Sequence, residues 1–203
     1  MKVFKIIMTT ALSLMAMQSF AQSPLESLRK MFSESSVELD CSYETKLRNM
    51  QVTADYNLIV QGEMYKLIGN GLEVYCNGKA VWTIDESSSE VVIESCAGTE
   101  KDYMANPALM LAELDKIFKV ASVKAMDAGK EEYVLDASVD CGVTKACVVL
   151  TSDGRILEGV FTLDDGNTLD VDVLSMKKTE EKPASFFSPD RKFASDWIVT
   201  DLR

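Results

Sequence analysis

The stretch "VELDCSYETKLRNMQVTADYNLIV", residues 37–60, is written in period two. Val37, Leu39, Cys41, Tyr43, Thr45 and Leu47 are separated by Glu38, Asp40, Ser42, Glu44 and Lys46. After a break the pattern resumes as Val52, Ala54, Tyr56, Leu58 and Val60 among mostly polar neighbours. Successive side chains of a strand point to opposite faces, so this spacing predicts two long strands with one buried face and one wet face.

Turn signals then divide the chain. Gln61-Gly62, Gly69-Asn70-Gly71, Asn77-Gly78 and residues 86–89 leave short strands near 64–68, 72–76, 80–85 and 90–96, an antiparallel meander. The meander is broken once, by "NPALMLAELDKIFKV" at residues 106–120. Asn106 can cap a helix, Pro107 suits its first position, and Leu109, Met110, Leu114, Ile117 and Phe118 form an apolar stripe. The spacing predicts a helix of about four turns. Strands resume as "EYVLDAS", "ACVVLTS", "RILEGVFTL" and "TLDVDVLSMKK", with hairpin turns at Asp153-Gly154 and Gly166-Asn167 and a last short strand around Trp197 to Leu202. Ahead of the long strands, "SPLESLRKMF" predicts a helix: Ser23 caps it, Pro24 sits in its first turn, and Leu25, Leu28, Met31 and Phe32 share a face. The count is about ten or eleven strands and two helices, mainly β, with the helices as natural cover for one open face of a curved sheet.

One hairpin, "YCNGKAVWTID" (residues 75–85), fixes more detail. A two-residue turn at Asn77-Gly78 would set Cys76 opposite Lys79 and Glu73 opposite Trp82. If Asp85 then pairs with Glu90, Trp82, Ile84, Val91 and Ile93 share the apolar face. Cys76 and Cys96 would lie roughly 9–10 Å apart, two strand spacings, too far for a disulfide.

The first residues have another purpose. In "MKVFKIIMTTALSLMAMQSFAQS", Lys2 and Lys5 precede an apolar run from Ile6 to Met17, and Ser19-Phe20-Ala21 follows as a small-x-small site. This predicts a signal peptide over residues 1–21, cleaved after Ala21, and a single exported domain over 22–203. The run is too short to span a membrane. No cysteine follows the cleavage site closely, so a lipid anchor is not expected, and the mature protein should be soluble. Of 203 residues, 47% are hydrophobic and 26% charged, a globular balance. Without Lys2 and Lys5, 19 basic residues face 32 acidic ones, a net charge of −13 that disfavours nucleic acid and anionic membrane surfaces.

The chemistry of common active sites is missing. The chain has no histidine, which excludes serine–histidine and cysteine–histidine catalysis, and it has no phosphate-binding glycine motif. Asp164, Asp165, Asp170 and Asp172 in "DDGNTLDVD" do not match a calcium loop and read as a hairpin turn leading into a strand with an acidic edge. The five cysteines match no zinc spacing. Cys141 and Cys147, in the short loop "CGVTKAC", are candidates for a disulfide; the alternative is that all five are small half-buried side chains. No enzyme activity, metal or cofactor is expected.

The hairpin "EVYCNGKAVWTIDESSSEVVIES", the Asn106-Pro107 helix start and the tail "FFSPDRKFASDWIVTDLR" together resemble the outer-membrane lipoprotein carrier family, LolA, over essentially the whole mature chain. The resemblance implies an incomplete antiparallel β-barrel with helices covering a concave hydrophobic face. It implies a periplasmic monomer that holds lipoprotein acyl chains or lipid and ferries them between an inner-membrane donor complex and an outer-membrane acceptor. On that basis the cavity wall would comprise Leu39, Tyr43, Tyr56, Leu58, Trp82, Ile84, Val91 and Ile93, and the lid Leu28, Phe32, Met110, Leu114 and Phe118. The same scaffold also serves non-transporting envelope sensors and protein-interaction modules. This chain departs from the family at "LIVQGEMYKL", where the basic-proline step after the second long strand is missing and Lys66 stands nearby.

Overall fold

A computed structural model of the chain describes residues 22–47, 50–96, 103 and 106–203; the expected signal peptide and its cleavage site lie outside them. The described chain begins with helix α1 (Pro24–Glu34). Six strands follow: β1 (Ser36–Leu47), β2 (Met50–Gln61), β3 (Met64–Gly69), β4 (Leu72–Cys76), β5 (Ala80–Asp85) and β6 (Glu90–Ser95). Two short helices, α2 (Pro107–Ala112) and α3 (Leu114–Ile117), interrupt them. Then come β7 (Phe118–Ala125), β8 (Glu131–Ala137), β9 (Val143–Leu150), β10 (Ile156–Leu163), β11 (Thr168–Thr179) and, after a tail with a 3₁₀ turn at Ala184–Phe187, β12 (Ile198–Asp201).

All twelve strands join one sheet in the order β12-β6-β5-β4-β3-β2-β1-β11-β10-β9-β8-β7. Every neighbouring pair is antiparallel except β12, which runs parallel to β6. The two edge strands, β12 and β7, do not pair with each other, so the barrel is open. No helix among the described residues is long and apolar enough to cross a membrane.

The period-two ribbon is the middle of this sheet. β1 pairs with β2 along its full length and with β11 on its other side. The expected four-turn helix is shorter than its sequence suggested. It breaks at Glu113 and ends at Ile117, and Phe118 opens β7. Past Phe118 every residue of β7 is exposed, so no alternation marks it as a strand, and its Ala and Lys residues suit a helix equally well. This edge strand accounts for the difference between the ten or eleven strands expected and the twelve found among the described residues.

α1 forms where its caps predict. The Glu26 N–H donates to Ser23 Oγ at 3.2 Å, Pro24 holds the first turn, and Leu28, Met31 and Phe32 are buried. Its seat is the turn between β9 and β10. Gly154 has φ +83°, and a Cβ there would lie 2.6 Å from both the Leu28 nitrogen and the Pro24 oxygen. The helix can approach the sheet only because this position has no side chain.

At Asp40 the pairing of β1 with β11 shifts by one residue. The Asp40 carboxylate accepts from Ser175 Oγ on β11 at 2.6 Å and from Asn57 Nδ2 on β2 at 2.8 Å, tying three strands across the irregularity. These hydrogen bonds, Ser175 first and Asn57 second, hold the carboxyl below its ordinary value of 3.8.

Two predictions follow from these contacts. Gly154→Ala should lower stability in urea by about 2–4 kcal/mol, through backbone strain and loss of the helix seat. Gly166→Ala, at the same φ of +83° but beside open space, should cost only about 1–2 kcal/mol. Equal losses would show that α1 does not depend on the turn. Because the folded pKa of Asp40 is depressed, its stabilisation is present above pH 3.8 and lost as pH falls through the lower folded value. The urea midpoints of wild type and Asp40→Asn should therefore differ near neutral pH and converge in acid.

Candidate functional site: an apolar cavity under the helices

The pairing passes one side-chain face from strand to strand. Leu39 pairs with Leu58, Leu58 with Leu67, and Leu67 with Val74. Tyr43 pairs with Val171, and Val171 with Gly159, which pairs with Val148. These residues line one concave wall. Leu25 and Leu28 of α1, Pro107, Met110 and Leu111 of α2, and Leu114 of α3 roof it. Between roof and wall lies a cavity of about 550 Å³ that opens to the surface.

Among the described residues its lining side chains are apolar but for the Cys41 thiol and the phenols of Tyr43, Tyr56 and Tyr65. Tyr43 and Tyr56 stack with ring centres 5.3 Å apart. Burial pushes the Tyr56 phenol up to about 12, with Tyr43 adding to the shift. Burial, with the Asp40 charge second, pushes the Cys41 thiol up to about 11. Both groups therefore stay protonated at neutral pH and offer neither nucleophile nor base. Among the described residues, no buried side-chain N or O atom lacks a hydrogen-bond partner, and no three His, Cys, Asp or Glu gather as a metal site. The arrangement can hold an apolar body and has no polar group set aside to orient one.

Of the residues expected at the wall, the structure brings Leu39, Tyr43, Tyr56 and Leu58 to the cavity. From the expected lid it brings Leu28, Met110 and Leu114, and also Phe118, which belongs to β7 rather than to a helix. Phe32 packs into the core and does not reach the cavity.

Trp82, Ile84, Val91 and Ile93 are placed elsewhere. They share a face, as the hairpin reading required: Trp82 pairs with Ile93 and Ile84 with Val91. That face is the outer one. Val74, a cavity residue, pairs with Thr83, so the inward positions of β5 are Val81 and Thr83. Trp82 lies opposite Tyr75, and Phe193 and Trp197 of the C-terminal tail pack against this outer cluster. The guanidinium of Arg191 lies 5.5 Å from the Phe193 ring centre and 5.3 Å from that of Trp197, and it also pairs with Glu73 and Glu86. β4 and β5 carry apolar side chains on both faces, and the inward positions of β6 are Glu90, Val92 and Glu94, so alternation alone does not say which face is concave. Carrying the parity of Leu39 and Leu58 through the two intervening turns would have done so.

The turn itself also differs. Cys76 pairs with Val81, not Lys79, and Gly78-Lys79 form the middle of the turn. The Asn77 side-chain oxygen accepts from the N–H groups of Lys79 and Ala80 at 3.0 and 3.1 Å, and the Asn77 N–H donates to the Ala80 carbonyl. These side-chain hydrogen bonds favour the turn centred one residue later. The slip is two residues, which preserves the faces.

The cysteines are also corrected. All five are free. Cys141 is buried in the main core and donates to the Val143 carbonyl, whereas Cys147 points to the other face of β9 from Ala146 and Val148, so the two are not a pair. Cys76 and Cys96 are not 9–10 Å apart: their sulfurs are 3.5 Å apart. Cys96 lies past the end of β6, and its N–H donates to the Lys79 carbonyl, which draws it around the turn. The acidic run at 164–172 makes the β10–β11 turn and the start of β11, with the Asn167 N–H donating to Asp165. Lys66, near the family's missing basic-proline step, sits over the Tyr75 and Phe186 rings, on the outer face.

No protein-family model and no curated protein matches the chain in sequence. Solved structures similar to it include a LolA superfamily protein from Nitrosomonas europaea, 16% identical, covering 84% of this chain and 98% of that one, TM-score 0.47. A domain assigned to outer membrane lipoprotein sorting from Vibrio parahaemolyticus is 13% identical over 78% of this chain and 92% of that one, TM-score 0.42. A chain of the Pseudomonas aeruginosa MucA/MucB complex is 11% identical over 84% of this chain and 61% of that one, TM-score 0.34. These likenesses are of fold.

The two faces separate by mutation. Trp82→Ala should cost about 2–3 kcal/mol in urea denaturation and leave uptake of an apolar fluorescent dye unchanged. Val74→Trp, which pushes an indole into the cavity, should keep the fold and lose most dye uptake. The reverse pattern would return Trp82 to the cavity wall.

Proposed function

We propose that this chain is a periplasmic carrier that shelters acyl chains of lipoproteins or lipid in the cavity beneath α1, α2 and α3, towards delivery at the outer membrane. The single observation that carries this reading is a roofed cavity of about 550 Å³ whose lining side chains are apolar. That volume lies within the range of about 300–1,000 Å³ usual for small-molecule sites. Each CH₂ moved from water into such a site contributes about 0.8 kcal/mol, so an alkyl chain supplies the affinity without a polar anchor. A head group or an attached polypeptide would remain at the open mouth. No bond is made or broken in the cargo.

Release requires the roof to part from the wall. α2 has six residues and α3 four, lengths that are unstable as helices in water without packing. The Arg29 guanidinium of α1 meets Asp115 of α3 at 2.7 Å, with both side chains almost half exposed. An exposed pair of this kind contributes about 0–1 kcal/mol and restrains the roof without locking it.

Protein recovered from its own envelope and sprayed under native conditions should carry added masses that match acyl lipids or lipoproteins. Val74→Trp should lose them and Trp82→Ala keep them. Bare protein throughout, with no dye uptake, would sink the carrier reading in favour of a protein-interaction module docking through the edge strands β7 and β12.

A further inference from the structure

Cys76 is fully buried at the end of β4, and Cys96 is half-buried just past β6. β5 lies between them, yet their sulfurs approach to 3.5 Å. One backbone hydrogen bond and one thiol hydrogen bond hold them there. The Cys96 N–H donates to the Lys79 carbonyl at 3.0 Å, and the Cys76 thiol reaches the Glu63 carbonyl at 3.6 Å. The other thiols are dispersed: Cys41 lines the cavity, Cys141 is in the core, and Cys147 faces outward between Val134 and Val160.

We propose that Cys76 and Cys96 are the chain's disulfide-forming pair, oxidised by exchange with the disulfide of a thiol oxidoreductase or a small disulfide. A disulfide spans about 2.05 Å between sulfurs, so closure needs about 1.5 Å of movement, within reach of side-chain rotation. The more exposed thiol, Cys96, loses its proton and attacks the oxidant's disulfide, giving a mixed disulfide and releasing one thiol. Cys76 then loses its proton and attacks the Cys96 sulfur, releasing the second thiol. The protein gives up two electrons and two protons, and the oxidant's disulfide becomes two thiols.

With this pair closed, three thiols remain, Cys41 on β1, Cys141 in the bend before β9 and Cys147 on the outer face of β9. The bridge ties β4 directly to the end of β6, across β5. The tie therefore sits where the chain leaves the sheet on its way to the roof helix α2. Burial, and then Cys76 beside it, pushes the Cys96 thiol up. Its thiolate is scarce at neutral pH, so uncatalysed exchange is slow and quickens as pH rises. Persistence of the bridge in a cell rests on the exported location; its formation does not.

The test is the purified full-length mature chain in a glutathione redox buffer, with free thiols then trapped by alkylation and the protein digested with trypsin. Cleavage after Lys66, Lys79 and Lys101 separates the two cysteines, so the bridge appears as a linked pair of peptides, 67–79 with 80–101. The expected result is that pair as the dominant cross-link, an intact mass 2 Da below the reduced chain, and a melting temperature several degrees higher than in reductant. Cys96→Ser should abolish the linked peptides and the reductant sensitivity together, while Cys147→Ser keeps both. Alkylation of both Cys76 and Cys96 at every redox ratio, or linkage of either to another cysteine, overturns the proposal. The linked pair in buffer but free thiols in protein taken from the envelope would support the bridge and count against the exported location, keeping the two readings distinguishable.

Discussion

The row Leu39, Leu58, Leu67 and Val74 sets which face of the sheet is inside, and most of the structure answers to it. A regular β-ladder transmits side-chain parity: once Leu39 points inward, each antiparallel pairing from β1 to β4 fixes the next strand. The long ribbon of β1 and β2 starts the row at the centre of the sheet, and β11 carries it the other way through Val171 and Gly159. An apolar row of this extent must be covered, and α1 to α3 provide the cover. Because β4 to β6 put Tyr75, Trp82, Ile84, Val91 and Ile93 on their outer face, a second cover is needed. Phe193 and Trp197 supply it, with Arg191 bridging those rings to Glu73 and Glu86. The helices and the C-terminal tail thus meet the same requirement on opposite sides.

What could be read in advance tracks how many physical signals coincide at each place. Residues 37–60 carry alternation along two whole strands, and α1 carries a cap, a proline and an apolar face; both formed where expected. Leu39, Tyr43, Tyr56 and Leu58 came from that alternation and line the cavity. Trp82 came from a short hairpin with two apolar faces, where composition is silent about direction. β7 has one buried residue in eight, and an edge strand that buries so little leaves no pattern to read. Val148, Gly159 and Phe161, on the far wall, were missed because their strands were recognised but not placed in register. The bulge at Asp40 and the slip after Cys147's strand depend on pairing that a single chain of letters does not display.

The cysteines show how local geometry overrides sheet spacing. Two strand spacings do separate β4 from β6, and had Cys96 been within β6 its sulfur would be out of reach. It is one residue past the strand, where the ladder no longer fixes its position and a hydrogen bond to the turn does. The same turn differs in register by two residues from the Asn-Gly expectation because the Asn77 side chain, rather than the Asn-Gly dipeptide backbone, organises it.

The cavity persists because its walls and roof answer to different constraints. The wall is held by continuous backbone pairing and cannot close inward without breaking the ladder. Gly159 adds room where a side chain would press on the Phe161 ring, which would lie 3.1 Å from a Cβ there. The roof could descend, but α1 is fixed at its height by the Gly154 turn, and α3 is tied to α1 through Arg29 and Asp115. An apolar void normally costs stability because its lining loses contact atoms, and a protein free to collapse does so. Here the ladder and the Gly154 turn resist collapse, and α2 and α3, restrained by the exposed Arg29–Asp115 pair, are the less fixed part of the boundary. Filling the space with an apolar guest is then the available way to recover those contacts, and the movable part of the boundary is the part through which a guest would pass.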